Sequence, residues 1–136
     1  MDLLPLRLLP GDDLRAALEA AVAARAVGGA FVLAGIGSLS RAGLRFAGAA
    51  EPQRIDADLE VLTLSGSIAG NGSHLHITLA RADGSVLAGH VAPGCIVRTT
   101  AEVLLALLPG WELRREHDAA TGYDELVVRM QQDPHA

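Results

Sequence analysis

Lysine is absent from this 136-residue chain, cysteine occurs once, and aromatic side chains make up only 3% of it. Each shortage excludes something. All eleven cations are arginines, scattered along the chain with Arg114-Arg115 as the one adjacent pair, and the formal net charge is -5. The summed field therefore repels phosphate, and composition argues against DNA binding by the isolated chain. Trp111 and Tyr123, the only large amphipathic aromatics, make no stacking platform for single-stranded nucleic acid. The single Cys95 permits no internal disulfide, which suits a reducing compartment. No apolar run approaches ~18 residues, and no basic-then-apolar leader with a cleavage site stands at Met1. A cytoplasmic protein without a membrane span is the expectation.

What is present is aliphatic. Half the residues are hydrophobic, so a core must be built from Leu, Val, Ile and Ala, and a chain of this length buries roughly two-thirds of its surface as one domain. Residues 3–9 read as a short strand ending at Pro10-Gly11. Asp12 or Asp13 then caps a helix whose apolar stripe is Leu14, Ala17, Leu18, Ala21 and Val22, with Gly28-Gly29 ending it. Ala30 to Ile36 reads as a buried strand, residues 44–46 as a return strand, and residues 47–57 as a loop around Pro52. Leu59 to Ser65 alternates as a strand, followed by a turn-rich connection from Gly66 to Gly72 containing Asn71-Gly72. His74 to Ala80 alternates strictly, Asp83-Gly84 turns the chain, and Val86 to Val91 returns. Thr99-Thr100-Ala101-Glu102 has the form of a capping box. It predicts a second helix with Val103, Leu104, Leu107 and Leu108 inward, ended by Pro109-Gly110. Trp111 to His117 and Glu125 to Met130 close the chain as strands, and 131–136 reads as a frayed polar tail. Two helices and six to eight short strands joined by hairpins give an α+β domain with an antiparallel (mixed) sheet.

Chemistry concentrates on three of the five histidines. His74 and His76 are two apart on a strand, so both imidazoles leave the same face. The Asp83-Gly84 hairpin brings the next strand alongside, and counting back from the turn sets His90 near them. Three neutral imidazoles on neighbouring strands are a sound ligand set for a divalent metal, zinc foremost, with one coordination position left open. Against this stands the bland reading, in which histidines on the polar face of a half-buried strand bond to neighbours or solvent, since H-x-H is a short pattern. His117 and His135 read as surface residues.

Other motifs carry less. Gly35-Ile36-Gly37 lacks the third glycine and following helix of a dinucleotide loop, so no nucleotide cofactor is expected. A cupin-type site would want a glutamate shortly after H-x-H, whereas Ile77-Thr78-Leu79-Ala80-Arg81 follows. Neither Ser65 nor Ser67 sits in a nucleophile elbow, and Cys95 reads as a small buried residue. Catalytic residues stay unassigned; Glu60 and Glu102 are the nearest carboxylates that could serve as a base.

Seven stretches taken in order resemble the PPC (plant and prokaryote conserved) domain family: P-G-D-D-L (10–14), G-I-G-S-L (35–39), L-E-V-L-T-L-S-G (59–66), G-S-H-L-H-I-T-L (72–79), D-G-S-V-L-A-G-H-V (83–91), T-T-A-E-V (99–103) and T-G-Y-D-E-L (121–126). The likeness runs over residues 4–130. It implies an antiparallel sheet packed on helices and assembly as a homotrimer. In plants the domain follows AT-hook segments, while stand-alone prokaryotic members carry a DNA-binding label by analogy. No R-G-R-P hook or basic arm occurs here. The resemblance also implies that His74, His76 and His90 hold a metal near a subunit interface.

Three functions therefore compete. The first is a homotrimeric binding or regulatory module with a divalent-metal site, whose partners are itself and a further protein or small molecule. Subunit approach in it is expected through residues 59–65 and 75–79 and the glycines Gly66, Gly70 and Gly72. The second is a metal-dependent enzyme acting on a small molecule, and the third is direct DNA binding.

Overall fold

A computed structural model describes residues 2–131. Its elements in chain order are β1 (Asp2–Leu8), α1 (Leu14–Ala23), β2 (Gly29–Arg45), β3 (Gln53–Ala69), β4 (Gly72–Arg81), β5 (Val86–Val91), β6 (Ile96–Leu107), β7 (Trp111–Asp118) and β8 (Tyr123–Met130). One helix accompanies eight strands, so the domain is mostly β rather than α+β with two helices. Expectations for the tail beyond Gln131, His135 included, fall outside the described residues.

Six strands form one antiparallel sheet in the order β1-β6-β2-β3-β4-β5. The sheet curls until β5 also meets the end of β2, pairing Val91 with Leu44 and His90 with Arg45. Strands β7 and β8 make a separate hairpin. It docks through a hydrogen bond from Leu113 N to Gly28 O and another from Gly70 N to Leu113 O. Gly28 must be glycine there, because a Cβ would collide with the carbonyl of Trp111. Gly28-Gly29 thus opens β2 and admits β7, while α1 has already ended at Ala23.

Helix α1 forms as its sequence predicts. Asp13 is the cap: one carboxylate oxygen accepts from Ala16 N and the other from Gly94 N, 3.0 and 2.7 Å away. Leu14, Leu18 and Val22, one helical stripe, are buried against the sheet. Opposite them lie Leu75, Ile77 and Leu79 of β4, Leu59, Val61 and Leu64 of β3, and Val97, Val103 and Leu105 of β6.

The second helix does not exist. Residues Ile96–Leu107 form β6, a central strand between β1 and β2. Ala101, Val103, Leu105 and Leu107 point into the core with period two. Leu104 and Ala106 on its other face are apolar too, so residues 103–107 read as a continuous apolar run, and such a run carries helical spacing as readily as alternation. Thr99 caps nothing; its hydroxyl lies 2.6 Å from that of Ser38 on β2. Three boundaries also move. Strand β2 runs unbroken through residues 44–45, β3 starts at Gln53 inside the expected loop, and β3 continues to Ala69, leaving Gly70-Asn71 as a two-residue turn.

Candidate metal centre

Strict alternation in β4 buries Leu75, Ile77 and Leu79 and turns His74, His76 and Thr78 to the other face. The hairpin register then decides the third partner, since His76 pairs directly with His90 of β5. Curling of the sheet sets His90 beside Arg45 as well. The three imidazoles meet. Ring centroids of His74 and His76 are 4.8 Å apart, of His76 and His90 4.7 Å, and of His74 and His90 5.2 Å, the last pair stacked within 12°. One ring nitrogen from each lies within 4.8 Å of the other two.

Tautomers follow from the hydrogen bonds. His90 Nδ1 is 3.0 Å from the carbonyl oxygen of Arg45, which can only accept. Nδ1 therefore carries the proton, and the neutral ring presents an Nε2 lone pair to its neighbours. Metal-ligating histidines are commonly fixed in this way by a backbone carbonyl. His74 Nε2 and His76 Nε2 are 3.0 Å apart, so one donates to the other. Burial, then the proximity of His76, Arg115 and His90, holds His74 below its ordinary value, with Glu125 opposing; burial, then His90, does the same for His76. Both rings favour the uncharged form that a metal requires. Ligand atoms around tetrahedral zinc, each at about 2.0–2.1 Å, are roughly 3.3 Å from one another. The donor set and its spacing fit such an ion after small ring rotations. Three histidines so placed can bind a metal.

The candidate bases are elsewhere. Glu60 and Glu102 line a separate depression with Ser38, Arg98 and Thr99. Glu60 lies five positions along β3 from Ser65, the partner of His76, or ~17 Å of strand. His117 belongs to β7, exposed and 3.8 Å from Asp124. Cys95 is buried, its thiol 3.4 Å from Gly43 O, and burial pushes it up to about 11.

A cavity of about 550 Å³ opens beside the cluster and is lined by His74, His90, Arg15, Arg45, Arg115 and Tyr123, with Asp124 and Glu125 on its β8 wall. Arg115 is the residue that sequence reasoning missed. Asn71, in the turn before β4, clips it in place: Asn71 Oδ1 accepts from Arg115 N at 2.7 Å, and Asn71 Nδ2 donates to Arg115 O at 2.9 Å. Its Nη2 donates to Ser67 Oγ at 2.5 Å, its Nε is buried without a partner, and burial lowers its pKa. Strand alternation signals that only one of Arg114 and Arg115 faces inward, but nothing local says over what.

Fold and site together define a small, mostly antiparallel β domain with a three-histidine cluster where its curled sheet closes. The chain belongs to the Plants and Prokaryotes Conserved (PCC) domain family, whose model matches residues 1–109. It is similar to a bifunctional protein GlmU from Synechococcus, 45% identical over 125 residues, covering 92% of this chain but 20% of that protein. The chain thus spans about a fifth of the length of that curated relative. A protein from Salmonella enterica shares 35% identity at TM-score 0.93, with 96% of this chain and 95% of that one covered. A metal-containing protein from Archaeoglobus fulgidus shares 25% identity at TM-score 0.79, covering 93% and 94% of the two chains. A candidate DNA-binding protein from Bacteroides thetaiotaomicron, 21% identical at TM-score 0.80 over 96% and 93%, shares the fold alone.

Proposed function

We propose that this chain is a self-associating binding module that holds one divalent metal ion, zinc foremost, through His74, His76 and His90. The observation that carries the reading is the convergence of three ring nitrogens within 4.8 Å, one of them with its tautomer set by the Arg45 carbonyl. The similar Archaeoglobus protein is described as metal-containing, which supports it. Neither Glu60 nor Glu102 lines the cavity with the histidines, which disfavours turnover with either of them as the base. Direct DNA binding is disfavoured by the net charge of -5. The likeness to one-fifth of a bifunctional protein fits a domain that serves as a module.

Self-association, as a homotrimer, is supported by an apolar sheet face that the chain itself leaves uncovered. Leu3, Ala106 and Phe31 make one apolar cross-strand row over β1, β6 and β2 and Pro5, Leu104 and Ala34 the next, while the third sets Ile36 beside the charged pair Arg7 and Glu102 at the patch's edge. Leu3, Phe31 and Ile36 are exposed, as are Leu33 and Leu62 nearby. Isolated exposed apolar residues are ordinary, whereas a contiguous patch marks an interaction surface. The expected contribution of residues 75–79 is corrected: Leu75, Ile77 and Leu79 are in the chain's own core, and Gly66 packs against the His74 backbone.

Metal analysis of protein purified without an affinity tag, together with light scattering, tests both parts. One zinc per chain is expected, lost in the His74→Ala, His76→Ala double variant with its circular dichroism unchanged. A metal-free wild type after growth and refolding in zinc would overturn the metal site. A mass three times that of the chain, constant on dilution through the micromolar range, is expected for the assembly, and a monomer would overturn it.

A further inference from the structure

We infer that the cavity beside the histidines is a receptor for a small oxyanion, a carboxylate or phosphate group, gripped by the guanidinium groups of Arg45 and Arg115. The inference rests on the metal reading only in that the ion would add positive charge at the same mouth.

The arginine distribution carries it. Among the described residues six of the eleven arginines lie within 4.0 Å of a carboxylate, namely Arg15, Arg41, Arg54, Arg98, Arg114 and Arg129. Five do not: Arg7, Arg25, Arg45, Arg81 and Arg115. Arg7, Arg25 and Arg81 are exposed, where water serves as partner; Arg45 and Arg115 are half-buried. Glu125 attracts Arg115 only from beyond that distance, and a guanidinium withdrawn from water without a close counter-ion is costly unless something compensates it. Both of the half-buried unpaired guanidinium groups line the same cavity.

They come from unrelated parts of the chain, and each is held by a contact that leaves donors free. Arg45 ends β2 and donates through one Nη to Ala49 O at 3.3 Å. Arg115, on β7, spends Nη2 on Ser67 and keeps Nε buried and unpartnered. An oxyanion takes such donors in pairs, which a planar guanidinium offers at fixed spacing. Arg15, on the α1 wall, is already neutralised by Glu19 at 3.0 Å. Asp124 and Glu125, on β8 beside the β7 strand of Arg115, would repel a bare anion there and accept from a hydroxyl or amine of the same molecule. The cavity, at about 550 Å³, is within the size range of small-molecule sites. A compact polyfunctional acid or phosphate ester fits this layout; an extended polyanion does not.

Titration calorimetry with inorganic phosphate and, separately, acetate tests this on the full chain, metal-loaded and metal-stripped, with zinc content measured on each sample. At least one of the two anions is expected to bind the loaded protein, phosphate alone indicating a phosphoryl ligand and acetate alone a carboxylate. Arg45→Gln and Arg115→Gln should each weaken that binding by about tenfold or more with zinc content unchanged, and Arg81→Gln, an exposed unpaired arginine away from the cavity, should leave it unaltered. Two independent arginines guard against a variant that misfolds. Absence of binding by both anions up to about 10 mM, or wild-type affinity retained in both cavity variants, overturns the inference. If the protein takes up no zinc, the metal reading fails separately. The same variants titrated without metal then decide the arginine site, by loss of binding or by its persistence.

Discussion

Cys95 shows how burial rewrites a residue's chemistry. Fully enclosed beneath α1 and bonded to Gly43 O, its thiol ionises near 11 rather than 9.0, so it stays protonated at neutral pH. Ellman's reagent at pH 8 should react with it only on the timescale of global unfolding, and fast labelling in native buffer would contradict this. The unfolded thiol ionises first, so this group's contribution to stability is complete below pH 9 and shrinks between about 9 and 11, by up to ~1.4 kcal/mol per pH unit. The histidines shift the other way. His74 and His76 lie below 6.5 and are neutral at pH 7, so protons compete with a metal only in more acidic solution. Zinc affinity, followed by chelator competition, should hold level from pH 8 to about 6.5 and then fall as the rings protonate. A decline already under way above pH 7 would speak against these ligands.

Strands deliver those residues, and two positions within strands test how. Gly66 of β3 has φ 134°, and a Cβ there would run into the carbonyl oxygen of His74. Gly66→Ala should therefore cost more than ~1 kcal/mol in a urea titration and weaken zinc binding by displacing the His74 backbone. An unchanged midpoint would mean that β3 and β4 have room to separate. In β6, Leu105 is fully buried between flanking strands. Leu105→Ala should lose about 2–5 kcal/mol, whereas Thr99→Ala, which would uncap a helix but here only loses the Ser38 bond, should cost about 1 kcal/mol.

For the whole molecule the open face over β1, β6 and β2 governs. If the chain self-associates through this face, a second copy covers it, and a charge placed on it should separate the subunits. Ile36→Glu and Phe31→Glu, both at exposed positions, should lower the mass in light scattering to that of one chain while leaving the circular dichroism intact. Retention of the oligomer in both would move the interface elsewhere.

Much of this was readable from residues alone: the α1 stripe and its cap at Asp12 or Asp13, the alternation that puts His74 and His76 on one face, and the Asp83-Gly84 turn that brings His90 to them. These rest on contacts a few residues apart, where local periodicity and turn chemistry decide the outcome. Only the tertiary structure decided that residues 96–107 are a strand, because an apolar run paired on both edges, by β1 and β2, takes its form from its neighbours. It alone also set Arg115 over the histidines. That placement depends on a clip between Asn71 and a hairpin 44 residues on, and no spacing within either segment encodes the other.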